Sequence, residues 1–129
     1  MPNVILHMRE GWTADEKKAV LDVVHAALVE AFGIPENDRY QRISQYPAED
    51  FEIPPGKSEK FVYVEIVVFP GRSLEAKRAL YMSIAEGFTG IGLDPQDMMI
   101  TLKQPPMENW GLRGGIPATD IDFGFKIDV

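Results

Sequence analysis

The chain has no cysteine, which excludes disulfides, thiol catalysis and cysteine-ligated zinc. Histidine is almost as scarce, with only His7 and His25 in 129 residues. Neither stands in an Asp/His cluster at metal-ligand spacing, so both read as structural and no metal is expected. No apolar run approaches the roughly 20 residues of a membrane span. No basic segment followed by an apolar stretch opens the chain, so no signal peptide is expected. Positive charge is also in short supply. Thirteen Lys and Arg face 20 Asp and Glu, for a net charge of −7. That balance repels a duplex, so nucleic acid is not an expected partner. The few basic residues are better suited to holding a small anion. No serine sits in a nucleophile-elbow motif, and Gly114-Gly115 lacks the spacing of a nucleotide-binding loop. These absences leave a cytoplasmic protein without membrane or nucleic-acid partners.

What remains is ordinary in bulk, 45% hydrophobic and 26% charged, and residues 1–129 read as a single domain able to bury a core. Residues 3–8 predict a strand. Thr13-Ala14-Asp15-Glu16 is a capping box. Val20, Leu21, Val24, Ala27, Leu28, Ala31 and Phe32 then form one apolar helical stripe, closed by Gly33. Residues 39–46 predict a second strand, and 47–60 a loop. The plan then repeats. Residues 61–69 predict a central strand, apolar on both faces except for Glu65. Gly71 turns the chain, Ser73 caps a helix whose stripe is Leu80, Tyr81, Ile84 and Phe88, and residues 98–104 form a last strand.

At an offset of sixty, Gly11 matches Gly71, Thr13 Ser73, Lys17 Lys77, Ala19 Ala79 and Pro35 Pro95. The chain therefore reads as a duplicated β-α-β, with units at about 2–58 and 59–129. The predicted class is α+β: a four-stranded mixed sheet with two helices on one face. The other face would lie bare, which points to burial against other subunits. Ile121, Phe123, Phe125, Ile127 and Val129 alternate with polar or small residues, predicting a C-terminal strand.

Pro2 is the residue with the most chemistry to offer. Once Met1 is removed, its nitrogen is a secondary amine on a rigid ring, fixed in direction by the strand that follows. Apolar burial and a nearby arginine both disfavour its cation and lower its pKa. The neutral amine is then a general base, able to move a proton from the carbon beside a keto group. If it stays cationic it is an acid suited to hydration. If Met1 stays, the nitrogen is an amide and can do neither. Arg72 opens the second helix, where the dipole favours anions. A cation there suits anion binding, and that reading is favoured over a merely solvated surface arginine. Asp38 suits water or proton handling, and equally a turn after Pro35-Glu36-Asn37.

Pro2, the repeated β-α-β plan and the stretch Gly33-Ile34-Pro35-Glu36-Asn37-Asp38-Arg39-Tyr40-Gln41 resemble the tautomerase superfamily, most of all its malonate semialdehyde decarboxylase-like group. The likeness runs from Pro2 to about Trp110. It implies a homotrimer, with each site at a Pro2 and lined partly by adjacent subunits. It also implies a cofactor-independent enzyme acting on a small carboxylate-bearing substrate. Pro2, Asp38 and Arg72 would be catalytic, and Tyr40, Trp110, Leu112 and Arg113 would bind substrate. Trp110 and Leu112 would form an apolar wall. The decarboxylase pattern has two arginines one residue apart, and here Pro70 stands in the first place. That departure favours keto–enol tautomerisation of a phenylpyruvate-like 2-keto acid. Hydration or decarboxylation of a 3-oxo acid such as malonate semialdehyde is the alternative, and Arg113 is a candidate for the missing cation. A trimeric binding protein without catalysis is the rival reading.

Overall fold

The computed structural model describes residues 2–129; the question of Met1 removal lies outside them. Strand β1 (Asn3–Arg9) buries Val4, Leu6 and Met8, the period of two that a half-buried strand requires. Gly11 turns the chain at φ +112°, where a glycine is unstrained. Thr13 then caps α1 (Ala14–Phe32). Its hydroxyl accepts from the Glu16 N–H at 3.1 Å, and the Glu16 carboxylate accepts from the Thr13 N–H at 2.8 Å. Gly33 ends the helix in the left-handed region, with its N–H on the Val29 carbonyl.

Strand β2 (Tyr40–Tyr46) returns parallel to β1. The second unit follows the same path through β3 (Val62–Val67), α2 (Leu74–Gly90) and β4 (Met98–Lys103). The sheet order is β2-β1-β3-β4, with β1 and β3 antiparallel at the centre and parallel pairs outside. Backbone geometry repeats with the sequence. Gly71 has φ +120° against +112° at Gly11, and Ser73 has φ −70°, ψ 163° against −73°, 162° at Thr13. Two short strands, β5 (Gly111–Leu112) and β6 (Ile116–Pro117), form a separate hairpin.

Both helices lie on one face, and the core forms there. Val4, Leu6 and Met8 with Val62, Val64 and Ile66 meet Val20, Val24 and Leu28 of α1 and Leu80, Ile84 and Phe88 of α2. Gly87 lets the helices approach closely: a Cβ there would stand 2.4 Å from Val23 Cγ1.

The opposite face is more polar than the apolar reading of β3 suggests. His7 is 2.7 Å from the Tyr46 hydroxyl through Nδ1 and 2.9 Å from Glu65 through Nε2. Lys103 bonds the same carboxylate, and Tyr63 reaches Thr101 at 2.6 Å. His25 bonds the Glu36 carbonyl through Nε2 at 2.8 Å.

The predicted C-terminal strand is corrected. Residues 121–129 alternate in burial as expected, yet they join no ladder. Gly124 has φ +74° and donates its N–H to the Asp122 side chain, which bends the segment out of extended geometry. The tail packs instead on the start of α2. Ser73 donates to the Val129 carbonyl at 2.8 Å, and Asp128 lies against Gly71.

Candidate active site

Topology decides where the site forms. Pro2 immediately precedes β1 and is buried. The parallel register places Asn3 opposite Tyr40, the first residue of β2. The antiparallel register places Asn3 opposite Val67, the last residue of β3. The start of β1 is thus flanked by the start of β2 and by the segment that leads to Phe69, Gly71 and Arg72. The β5–β6 hairpin completes the enclosure. Pro2, Asn3, Tyr40, Trp110, Leu112 and Arg113 line one open cavity of about 400 Å³. That volume lies within the range of small-molecule sites.

The walls are held by aromatic packing. Trp110 meets Phe69 edge-on at 4.8 Å and donates its indole N–H to the Pro105 carbonyl at 3.1 Å. Phe123, from the tail, packs on Phe69 at 4.9 Å. Arg113 stands with its guanidinium 5.6 Å from the Phe123 ring centre. Its φ is +47°, and every other described residue with positive φ is a glycine. A side chain in that region costs about 1–2 kcal/mol.

Arg72 is not among the residues lining the cavity. Its side chain is buried, donates to the Phe69 carbonyl at 3.0 Å and lies 4.9 Å over the Phe32 ring. Its Nε is buried without a hydrogen-bond partner. Burial pulls its pKa down, while the charges of Asp128 and Asp38 act in the opposite direction. Asp38 is half-buried in the turn before β2, with its backbone N–H on the Pro35 carbonyl. Five of the seven residues picked from the sequence therefore border one cavity, and Arg72 and Asp38 are not among the residues lining it. Sequence reasoning missed Asn3, Phe69 and Phe123. The alternation of the tail was the one signal for Phe123. Among the described residues, no three His, Cys, Asp or Glu side chains are placed to hold a metal, and no helix is long and apolar enough to cross a membrane.

Comparison with known proteins settles the family. A model described as tautomerase enzyme matches residues 38–113, and a second of the same description matches residues 2–57. The chain belongs to the tautomerase enzyme family. It is 28% identical over 121 residues to the probable tautomerase YusQ of Bacillus subtilis (strain 168), covering 89% of this chain and 95% of that protein. Among solved structures, it resembles malonate semialdehyde decarboxylase, a protein described with decarboxylase and hydratase activities. Identity is 29%, coverage 87% and 92%, and TM-score 0.81. It also resembles a fused 4-OT wild-type symmetric trimer, with 25% identity, coverage 90% and 95%, and TM-score 0.77. This tautomerase family member thus shares with both structures its two helices and its four-stranded mixed sheet.

Proposed function

We propose that this tautomerase family member interconverts the enol and keto forms of a small 2-keto acid, with Pro2 moving the proton. The observation that carries the reading is Pro2 itself, buried at the head of β1 and bordering a cavity walled by Tyr40, Trp110 and Leu112. Removal of Met1 makes the Pro2 nitrogen a secondary amine. Apolar walls and nearby guanidinium charge both favour its neutral form. The neutral amine takes a proton from one position of the substrate and returns it at another, so no cofactor is consumed. Arg72 and Asp38 do not line this cavity, and the charges of Asp128 and Asp38 both act on the Arg72 guanidinium. In this reading Arg72 attracts the substrate carboxylate and Asp38 assists proton handling. The active form is a homotrimer, as in the fused 4-OT relative, and adjacent subunits complete each site.

The test is enol–keto conversion of phenylpyruvate by protein whose mass shows loss of one methionine, beside a Pro2→Ala variant. Activity that collapses in the variant supports Pro2 as the working group. No activity in either protein, or equal activity in both, removes the tautomerase reading. Sedimentation of the same samples tests the trimer.

A second reading is hydration or decarboxylation of a 3-oxo acid. The charge of Asp38 beside Arg72 and the likeness to malonate semialdehyde decarboxylase favour it. It requires a cationic Pro2. Turnover of malonate semialdehyde should then fall as pH rises through the Pro2 pKa, whereas base-driven tautomerisation should rise.

A further inference from the structure

We propose that Arg113 is the residue that anchors the substrate carboxylate in the Pro2 cavity, and that Phe123 of the C-terminal tail is its positioning residue. This rests on the reading of a carboxylate-bearing substrate given above. The reasoning begins with the backbone. The N–H of Gly115 closes a turn on the Leu112 carbonyl at 3.0 Å, and both central residues have positive φ, +47° at Arg113 and +82° at Gly114. Such a turn selects Gly, Asn or Asp at its first central position. Local geometry therefore does not explain the arginine, and its side chain must.

That side chain has three properties of an anion clamp. It borders the same cavity as Pro2. It forms no ion pair among the described residues, although the chain carries an excess of acidic groups. Its guanidinium sits over the Phe123 ring, leaving the fork of N–H donors free to meet a carboxylate in paired fashion. Arg72 complements this arrangement from a different place. It is buried, already donates to the Phe69 carbonyl and does not line the cavity, so its part in binding is through its charge rather than a paired contact. Phe123 links the two regions, because it packs on Phe69 while Arg113 packs on it.

Calorimetric binding of phenylacetate and of its neutral isostere phenylacetamide tests the proposal. The proteins are the wild type and the Pro2→Ala, Arg113→Gly and Phe123→Ala variants. Glycine suits the backbone at position 113, so Arg113→Gly should melt no lower than wild type. It should bind phenylacetate on the order of ten- to a hundredfold more weakly, the loss expected for a charge-assisted pair. Phenylacetamide binding should not change. Phe123→Ala should raise the KM for phenylpyruvate severalfold with kcat held, the signature of lost ground-state positioning rather than lost chemistry. Unchanged phenylacetate affinity in Arg113→Gly overturns the proposal, as does equal weakening for acid and amide. Failure of the wild type to bind phenylacetate also overturns it. Arg113-dependent binding in a protein without Pro2-dependent turnover supports the anchor and rejects the tautomerase reading alone.

Discussion

Replacing Arg72 by methionine and by alanine should give two different answers, and the difference measures why an arginine is there. In the wild type the guanidinium donates to the Phe69 carbonyl at 3.0 Å, and a charged hydrogen bond of this kind contributes about 1.5–3 kcal/mol. The Phe32 ring lies 4.9 Å below it, and a desolvated cation over a ring gains about 2 kcal/mol. Against this, Nε is buried without a partner, which takes back about 1–3 kcal/mol. Burying the ion itself costs several kcal/mol more, roughly cancelling the remainder. Arg72→Met keeps most of the buried volume and removes both the gains and the penalties. Its stability should stay within about 1.5 kcal/mol of wild type. Arg72→Ala also opens a cavity against Phe32, so its loss should be about 2–4 kcal/mol. Denaturant unfolding at one fixed protein concentration and pH 7 reads both values. Turnover of phenylpyruvate should fall on the order of a hundredfold or more in both variants, since neither keeps the charge. Equal destabilisation by Met and Ala would refute the reasoning, because the charged contacts would then outweigh their burial. A stable Arg72→Met with normal turnover would remove Arg72 from the site.

Two other perturbations test the scaffold. Gly87→Ala adds helix propensity worth about 1 kcal/mol, but its Cβ would meet Val23 Cγ1 at 2.4 Å, and overpacking costs about 1–3 kcal/mol. Denaturant unfolding should show a net loss of about 1 kcal/mol in the wild-type background, turning to a gain in Val23→Ala, where the clashing methyls are gone. A loss of the same size in both backgrounds would reject the close approach. On the open face, bonds from Lys103 and then from His7 hold the Glu65 carboxyl below its ordinary value of 4.5. Its unfolded pKa is therefore the higher one, so its stabilisation is present above about pH 4.5 and fades as pH falls through the folded pKa. The stability difference between wild type and Glu65→Gln should shrink on acidification from pH 5.5 to 3. A difference that stays flat across that window would show that the Lys103 and His7 contacts contribute nothing.

The scaffold was legible because each of its signals is local. The Thr13–Glu16 capping box, the glycine at 33 and the alternation of residues 3–8 need only neighbours in sequence, and the structure shows all three. The enclosure of the site was less so. Strands β5 and β6 have two residues each, too short for any periodicity to register. The tail misled because alternation reports burial on one side, not hydrogen bonding. Phe123 and Phe125 do face inward, but the sheet edges in this chain are β2 and β4, and Gly124 turns the segment away from extended pairing. Arg72 was read as an anion-binding residue at a helix start, with a solvated arginine as the alternative, and neither reading anticipates its burial. The tail laid over Gly71 and Ser73 accompanies its burial.

The duplication also shows why only one end of the sheet carries the proposed chemistry. At the offset of sixty, Arg72 corresponds to Trp12. Each stands between a positive-φ glycine and a helix cap, each is buried, and each has a ring or chain N–H without a partner. Both also sit in a cation–π pair, with the roles exchanged: Arg72 lies over Phe32, and Lys60 lies over Trp12 at 4.3 Å. The same backbone therefore accepts a cation or an aromatic ring at this turn. Pro2 corresponds in the same way to Val62, whose nitrogen is a peptide N–H already donated to the Asp97 carbonyl at 3.0 Å. The second end thus has neither an amine nor an arginine at the equivalent positions. Backbone symmetry was enough to build the sheet, but the proton transfer proposed for Pro2 needs an amine, and the peptide nitrogen at Val62 cannot act as one.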